Sequence, residues 1–560
     1  LRGVIVSEEY KFWKFISGKK YLNQSLIELD ERLLKNFYLN KGFYNVVINS
    51  SFAKLIDEKD SSFELIYNIN ANQKFVFNDI TLGLPIDFEK ENFQDLLNLF
   101  SDLKGKTYSL FMIENILDEI DKIILDKEYK TLESKVTENI FENKIDLNFE
   151  VTEGKKFQIK RINIFGNNIT QENVIRNQLL IDEGDEFNSI LTSKSINNIK
   201  ALRIFESVES NIIDNNDDTK NIDITIKEKA TGEIMAGAGV GTDGSTISFG
   251  IKENNYLGRG IGLDSNLTIS EETIKGKFSV INPNYNNSDK TVNANIQTLE
   301  TDKFKTAGYK TNKTGFGFGT SFEYQDDVIL GLGQDSFYEK IETNSSASAR
   351  QKSQAGNYWD TFINLSIDYD KRNQKFKTSD GFRSFYSVGV PILSENNSLL
   401  NTYVFSYYNE LYENNVTKFS FYGKTANSLT NDDVKLSERV YIPSSRLRGF
   451  EAGKVGPKDG NDFIGGNYVS AVNISSTLPQ ILPNAQNIDV AMFFDAGNVW
   501  GVDYDSSLSD TNKIRSSIGI GVDWFTLVGP LSISLAHPIT KVDSDITETF
   551  KFNLGTTFWL

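Results

Sequence analysis

The sequence of 560 residues contains no cysteine and only one histidine, His537. Thiol nucleophiles, cysteine-containing metal sites and Cys/His dyads are therefore excluded. His537 precedes a proline at the end of a strand-like pattern, and a solitary histidine in such a place is ordinarily a packed or loop residue. We expect no catalytic residue, no metal site and no cofactor, and we do not expect an enzyme.

The sequence also lacks an excess of positive charge, since 76 acidic residues outnumber 59 basic ones and the net charge is -17. Nucleic acid is therefore not an expected partner, because binding it requires a concentrated basic face. No stretch of eighteen consecutive apolar residues occurs, which excludes a helical membrane protein. It does not exclude a transmembrane β-barrel, whose strands alternate instead.

The first 229 residues mix helical and strand patterns and contain a repeat. Its marker is a glycine, two further residues and an aromatic residue, followed by a helical pattern; the copies begin at Gly18, Gly105 and Gly184, 79 to 87 residues apart. Each copy closes with an alternating strand, and the last two also open with one. The sequence therefore predicts three α+β modules of strand, helix, helix, strand, strand, the first truncated at its N-terminus, at residues 1–71, 72–153 and 154–229.

From about residue 230 to the end, short alternating segments separated by Gly, Asn, Asp and Ser replace the helical patterns; the clearest are Ile488–Asp495, Leu531–Leu535 and Phe550–Leu554. Each places apolar residues on one face, as in a strand between lipid and water. A soluble sandwich or a solenoid also alternates, but about 330 residues exceed the usual size of a sandwich. We predict an antiparallel transmembrane β-barrel at residues 230–560, with about sixteen strands.

Three stretches of the second half resemble a known family. Arg446-Leu447-Arg448-Gly449-Phe450 resembles the Arg-Gly-Phe/Tyr loop motif of the BamA family, the central subunits of the outer-membrane β-barrel assembly machinery. The segment Phe493–Trp500 resembles that family's Phe-x-Asp-x-Gly-x-Val-Trp strand, and Gly529–Gly555 is similar to its last two strands. Shorter matches at Asn254–Gly260, Asn282–Tyr285 and Gly465–Asn467 extend the resemblance over the whole predicted barrel.

The three repeats resemble the third, fourth and fifth POTRA (polypeptide-transport-associated) modules of the same family. The resemblance implies a Gram-negative outer-membrane protein with a periplasmic arm, which folds and inserts other outer-membrane proteins. Its implied partners are unfolded outer-membrane protein clients, accessory periplasmic lipoproteins and outer-membrane lipid. Two alternatives stay open: a two-partner secretion exporter, which typically has two modules, and the translocation and assembly subunit TamA, which has three.

Asp495 is the clearest candidate for a lumenal charge. Alternation along its strand sends Asp495 inward and Phe494 outward. A carboxylate inside a barrel needs water or a cation, and a guanidinium is its natural bidentate partner. From the residues alone, Arg448 is a candidate but could be a solvated loop charge, as most arginines are. The resemblance implies that the loop folds into the barrel and that Arg448 pairs with Asp495, within a motif completed by Leu447, Gly449 and Phe450.

The sequence departs from the family pattern at two places. On the strand after Gly466, where the family usually has a lumen-facing glutamate, this sequence has Ser475, which predicts a weaker polar environment around the loop. The last residues, 556–560, run past the usual terminal aromatic residue. They leave open how the last strand meets the first.

The first predicted barrel strand, 234–241, contains three glycines in eight residues. Glycine weakens a strand, although it also relieves crowding at barrel corners. The resemblance implies a lateral gate, where a client strand pairs with an opened edge. We expect first-to-last strand pairing that is shorter than between interior neighbours, with gate residues Ile234, Gly237, Gly239, Gly241, Phe550, Phe552, Leu554 and Gly555.

Overall fold

The structure is a computed structural model. It describes residues 1, 4–7, 24–57, 62–85, 88–126, 132–153, 156–215, 217–375, 378–395, 397–412, 415–430, 432–478, 488–508, 512–526 and 529–559. The chain divides into two compact units: Leu1–Asn167 with Gln178–Glu228, and Asn168–Asn177 with Lys229–Leu560. Within the described ranges, no helix is long and apolar enough to cross a membrane.

The first unit contains the repeated copies, except for residues 168–177 of the third copy, which belong to the second unit. In the first copy, helix α1 (Gln24–Asn40) is followed by the antiparallel strands β1 (Val47–Asp57) and β2 (Ser62–Asn70). The predicted marker at Gly18 lies outside the described residues. A short 3₁₀ turn, Lys90–Phe93, lies in the second copy.

The second and third copies follow the predicted order strand, helix, helix, strand, strand. Their elements are β3 (Val76–Gly83), α2 (Gln94–Leu103), α3 (Leu110–Asp126), β4 (Leu132–Phe141) and β5 (Lys144–Glu153), then β6 (Gln158–Phe165), α4 (Glu172–Arg176), α5 (Ser189–Ala201), β7 (Phe205–Asp214) and β8 (Thr219–Glu228). The sheets have the orders β3-β5-β4 and β6-β8-β7. In each, the opening strand is parallel to the closing one and the remaining pair is antiparallel.

The repeat marker has a physical role in these sheets. Gly105 has φ +82° and donates its N–H to the carbonyl of Phe77 at 2.8 Å. Gly184 has φ +99° and donates to the carbonyl of Ile159 at 2.7 Å. Glycine adopts this left-handed conformation without steric cost. The marker therefore returns the chain to the opening strand, while its aromatic residue, Tyr108 in the second copy, fills the core.

The second unit is a closed barrel of sixteen antiparallel strands, as predicted. The strands are β9 (Gly232–Gly241), β10 (Gly244–Tyr256), β11 (Ile261–Ser270), β12 (Thr273–Asn282), β13 (Thr291–Lys303), β14 (Tyr309–Gln325), β15 (Val328–Thr343), β16 (Gly356–Asp370), β17 (Gly381–Ser394), β18 (Ser398–Tyr412), β19 (Asn415–Ser428), β22 (Tyr468–Thr477), β23 (Ile488–Trp500), β24 (Arg515–Thr526), β25 (Gly529–Thr540) and β26 (Phe550–Trp559). A small hairpin, β20 (Lys458–Asp459) and β21 (Asp462–Phe463), lies in a loop. Helix α6 (Ala349–Ser353) and two 3₁₀ turns, Tyr285–Asn287 and Ser506–Leu508, lie in other loops.

The barrel wall is apolar outside and more polar inside. Along β23, Met492 and Phe494 are exposed on the outer face, whereas Phe493 and Asp495 are buried. Asp495 thus lies on the inner face of the strand, opposite to the face of Met492 and Phe494. The same alternation exposes large apolar side chains on other strands, among them Ile247, Phe249, Ile251, Ile296, Phe318 and Trp359. Soluble surfaces rarely expose so much contiguous apolar area, whereas transmembrane barrels do.

Candidate functional site

The loop that connects β19 to β22, residues 429–467, packs against the inner side of the barrel wall; we call it the long loop. Two residues of the predicted loop motif, Leu447 and Phe450, are buried. They pack with apolar residues of the same loop and of the wall: Ala426, Val434, Val440, Ile442, Val455, Val469, Ala471 and Val499. This apolar core fixes the position of the motif.

Arg448 and Asp495 form a bidentate ion pair. Nε of Arg448 donates to Oδ2 of Asp495 at 2.7 Å, and Nη2 donates to Oδ1 at 2.8 Å. The backbone N–H of Arg448 also donates to Oδ2, at 3.1 Å. The carboxylate is fully buried, so these charge-assisted bonds replace its hydration. The structure therefore brings together the two residues predicted to pair.

The side-chain amide of Asn473 donates a further hydrogen bond to this carboxylate. Asn473 lies opposite Asp495 in the β22–β23 register, and its Nδ2 donates to Oδ1 of Asp495 at 2.9 Å. The same Nδ2 donates to the carbonyl of Arg446 at 2.7 Å. Ser475 instead lies opposite Phe493. The prediction that Ser475 occupies the polar position beside the loop is therefore wrong: Asn473 holds it.

The remaining contacts of the motif explain its residue types. The guanidinium of Arg448 lies 3.3 Å from the centre of the Phe493 ring, a cation–π contact. Gly449 has φ +89°, and a Cβ there would lie 3.2 Å from Cβ of Ala536. The backbone conformation therefore favours glycine, and the close approach of β25 leaves little room for a side chain.

A second buried ion cluster, which was not among the residues predicted from the sequence, anchors the long loop. Lys435 Nζ lies 3.2 Å from Oε2 of Glu339 on β15 and 3.3 Å from Oε1 of Glu438, and it also contacts Asp360 on β16. All four side chains are buried. Burial lowers the pKa of Lys435, but the carboxylates, Glu438 first, outweigh this and hold the pKa above its usual value. The ammonium group therefore stays charged.

Alternation could have revealed two members of this cluster. Glu339 follows the exposed Tyr338, and Asp360 follows the exposed Trp359, so each carboxylate faces inward as Asp495 does. Its partner could not be found in this way. Lys435 lies in the long loop, distant in sequence from both strands, and its pairing depends on the loop's path.

Replacing Lys435 with methionine should destabilise the barrel, because it leaves buried carboxylates without their cation. Removing one partner of a buried ion pair costs about 3–5 kcal/mol. The free energy of unfolding in urea, followed by tryptophan fluorescence in detergent, measures the loss. Lys541→Met, at an exposed position, is the control. Equal stability of the two variants would contradict the assigned role.

Two further arginines tie the loops together. Arg439 of the long loop donates from Nη2 to Oδ1 of Asp503 at 2.6 Å. Arg515, at the start of β24, donates from Nε and Nη2 to the carboxylate of Asp545, at 2.9 and 3.0 Å. Both guanidinium groups are buried. The long loop is therefore fixed at several separate points, of which the Arg448–Asp495 pair is one.

The pairing of β26 with β9 closes the barrel, and we call it the seam. It runs from Asn553 opposite Gly241 to Trp559 opposite Met235, over seven positions. β9 pairs with β10 over ten positions and β13 with β14 over thirteen. On the lumen side, Gly239 lies opposite Gly555, so this pair contributes no cross-strand side-chain contact to the seam.

The prediction about seam length is only partly correct. β25 pairs with β26 over five positions, fewer than at the seam. The reason is that the loop after β25 pairs with the long loop: Glu451 N–H donates to the carbonyl of Ile546 at 3.0 Å, and Phe450 forms a bridge with Thr547. The last strand, β26, is therefore paired with each of its two neighbours over only a few positions.

The predicted gate residues divide into two groups. Gly237, Gly239, Gly241, Leu554 and Gly555 lie in the seam. The other three lie outside the β9–β26 register: Ile234 pairs with β10, while Phe550 and Phe552 pair with β25. Phe552 still accepts a hydrogen bond from the N–H of Thr242 through its carbonyl, at 3.1 Å.

In the described part of the chain, no group of histidine, aspartate and glutamate side chains is arranged to hold a metal ion. The site is defined by the ion pair between Arg448 and the buried carboxylate of Asp495 and by a glycine-rich seam in a sixteen-strand barrel. This arrangement defines a class of transmembrane barrels that are preceded by small α+β modules.

Comparison with known families identifies this class. The model of the Omp85 superfamily domain matches residues 255–558, and the POTRA model, described as a surface antigen variable number repeat, matches residues 10–72 and 157–229. The chain belongs to the Omp85 superfamily. The predicted fold class and the resemblance to the BamA family are both confirmed.

Individual relatives agree with this assignment. The outer membrane protein assembly factor BamA of Neorickettsia risticii is 23% identical over 100% of this chain and 76% of its own length. The protein of the same name from Neisseria meningitidis serogroup B is 23% identical over 98% of this chain and 74% of its own. The crystal structure of Haemophilus ducreyi BamA lacking POTRA domains 1–3 superposes with a TM-score of 0.64 at 23% identity, covering 86% of this chain and 100% of that one.

Proposed function

We propose that this protein folds and inserts outer-membrane β-barrel proteins, and that client strands enter through the seam between β9 and β26. The curated relatives that align with nearly the whole chain are named as outer membrane protein assembly factors, which supports the role. The barrel then lies in the outer membrane and the POTRA modules in the periplasm. The modules are proposed to span residues 1–71, 72–153 and 154–229.

The seam is the observation that carries the proposal. Seven paired positions close the barrel there, and the central glycines contribute no cross-strand side-chain contact on the lumen side. Backbone groups exposed to lipid must find hydrogen-bond partners. An opened β9 or β26 edge would therefore bind an incoming strand by the same backbone bonds that it lost. This mechanism requires no catalytic residue, metal or cofactor.

The long loop favours a lateral path over an axial one. Arg448, Arg439 and Lys435 each hold it by an ion pair with at least one buried side chain, so the chain occupies part of the lumen. An exporter would have to displace this loop to pass a polypeptide along the barrel axis. We therefore prefer insertion to export. The proposed partners are unfolded outer-membrane clients, lipid and accessory periplasmic lipoproteins.

Reconstitution into liposomes tests the proposal. The protein should accelerate folding of a urea-denatured outer-membrane barrel at least tenfold over empty liposomes, measured by the heat-dependent electrophoretic mobility of the client. Liposomes with an unrelated porin at equal protein-to-lipid ratio are the control. If the client instead appears unfolded inside the vesicles, the protein is an exporter and the proposal fails.

A further inference from the structure

The ten residues Asn168–Asn177 precede the barrel in the chain but belong to the same compact unit. Their backbone lies directly against the turn between β10 and β11. A Cβ at Gly258 would lie 2.0 Å from the carbonyl oxygen of Ile169, and the N–H of Gln171 donates to the carbonyl of Gly258 at 2.8 Å. The close approach requires a glycine at position 258, which has φ +70°.

Side chains reinforce this contact. Nδ2 of Asn255 donates to Oγ1 of Thr170 at 2.9 Å, and both residues are buried. The residue before α4 is Gln171, whose side chain forms no capping bond, so Thr170 is turned toward the barrel rather than capping the helix. A Cβ at Gly260 would lie 2.9 Å from Cγ1 of Val174, which is buried against this turn. The segment is therefore held rigidly on the end of the barrel.

This rigid segment exposes an apolar side chain and buries a polar one. Ile169 is 71% exposed, more than any other large apolar side chain that the structure describes. Its neighbour Thr170 is buried. Leu257, in the adjoining turn, is 67% exposed. A protein surface in water ordinarily buries isoleucine and exposes threonine. The exposure of Ile169 and Leu257 therefore indicates an apolar environment outside the protein.

Ile169 and Leu257 together form an exposed apolar patch, and its position identifies the environment that it faces. On β10, the outward side chains Ile247, Phe249 and Ile251 belong to the apolar outer face. The strand ends at the exposed Tyr256, immediately before Leu257. Aromatic residues at strand ends mark the boundary between acyl chains and headgroups in transmembrane barrels. The patch therefore continues the lipid-facing surface of β10 at the level of the headgroups.

A second turn of the barrel indicates that the segment lies at the depth of the headgroups. Tyr285 is also exposed, and it lies in the turn between β12 and β13. Nδ2 of Asn177, at the other end of the segment, donates to Oδ1 of Asn287 in that turn at 3.1 Å. The segment thus lies across two turns, each with an exposed tyrosine.

We propose that Ile169 and Leu257 insert into the periplasmic headgroup region of the membrane, so that the segment before the barrel is a lipid-interface anchor. This rests on the membrane location of the barrel, not on its activity toward clients. Because the segment is fixed to the end of β10, the lipid contact is transmitted to the strand that pairs with β9. Contact with the bilayer would thereby restrain the part of the periplasmic barrel end that adjoins the seam.

The absence of cysteine from the chain permits a direct test. Single variants Ile169→Cys and Leu257→Cys are labelled with an environment-sensitive fluorophore in the full chain, reconstituted in nanodiscs. Phe249→Cys reports the acyl region. Asp326→Cys, exposed in the turn between β14 and β15, is the water-facing control at the same end of the barrel.

Lipids spin-labelled near the headgroup should quench the fluorophores at 169 and 257 at least twofold more than the one at 326. Lipids labelled deep in the acyl chain should quench position 249 most. Quenching at 169 and 257 no greater than at 326 would overturn the proposal. A blue-shifted but unquenched signal would also overturn it, since protein rather than lipid would then cover the patch.

A matched pair of substitutions separates anchoring from folding. In the Leu257→Cys background, Ile169→Asp should reduce headgroup quenching at position 257 by at least half, whereas Ile169→Leu should leave it unchanged. Heat-dependent electrophoretic mobility confirms that both barrels are folded. Equal quenching in the two variants would contradict the anchor. Failure of client insertion in the unmodified protein would disprove the proposed function but leave this result intact.

Discussion

Oxidation of a cysteine pair at Gly239 and Gly555 is expected to abolish client insertion while the barrel stays folded. These residues face each other next to the middle pair of the seam, and a Cβ at Gly239 would lie 3.9 Å from Cα of Gly555. Directly opposite residues of antiparallel strands have Cα atoms about 4.5–5.5 Å apart, which is within the range that a disulfide spans. Because the covalent bond prevents β9 from leaving β26, insertion should fall at least tenfold and return on reduction. The client-folding assay in liposomes measures both states.

An interior pair gives a closely matched control. Gly319 and Gly333 face each other on β14 and β15, and a Cβ at Gly333 would lie 4.0 Å from Cα of Gly319. Oxidising cysteines at these positions should leave insertion nearly unchanged, since neither strand borders the seam. If the seam disulfide proves harmless as well, lateral opening is wrong and an axial path becomes the better mechanism.

Arg448→Ala should release the long loop and destabilise the barrel. The substitution leaves the carboxylate of Asp495 buried without its cation, which costs about 3–5 kcal/mol. The substitution removes two guanidinium donors, and the remaining donors, Asn473 and the backbone N–H of residue 448, carry no positive charge to replace them. We expect easier unfolding in urea, faster cleavage of the loop by proteinase K and slower client insertion.

Arg446 offers a control within the same motif. Its Nη1 donates to the hydroxyl of Ser420 at 3.1 Å and its guanidinium lies over the Tyr422 ring, and among the described residues no carboxylate forms an ion pair with it. Arg446→Ala should therefore cost less than Arg448→Ala in stability and loop protection. Arg448→Lys should recover only part of the loss, because an ammonium group cannot form the bidentate pair. Wild-type loop protection in Arg448→Ala would exclude the clamp.

Local patterns were sufficient to predict the architecture. The marker at Gly105 and Gly184 and the alternation around Asp495 are short-range signals, each tied to a backbone conformation or a strand face. The class of fold follows from them. The pairing of Arg448 with Asp495 needed the family resemblance as well, because a loop arginine has many possible partners.

Long-range register was the part that the sequence could not provide. Whether Asn473 or Ser475 lies opposite Asp495 depends on the hairpin between β22 and β23, since alternation alone places both residues on the same face. Lys435 contacts strands that are distant in sequence. The bond between Thr170 and Asn255 depends in the same way on a fold that brings distant segments together.

The short ladders on both sides of β26 have a consequence for the geometry of the whole barrel. This strand is paired over five positions with β25 and seven with β9. Its amides should therefore be among the first of the wall to exchange with deuterium. If β26 leaves, the other fifteen strands form an open sheet. A strand from another polypeptide could then take the vacant place and restore the original circumference and strand tilt, which strand number and stagger fix together.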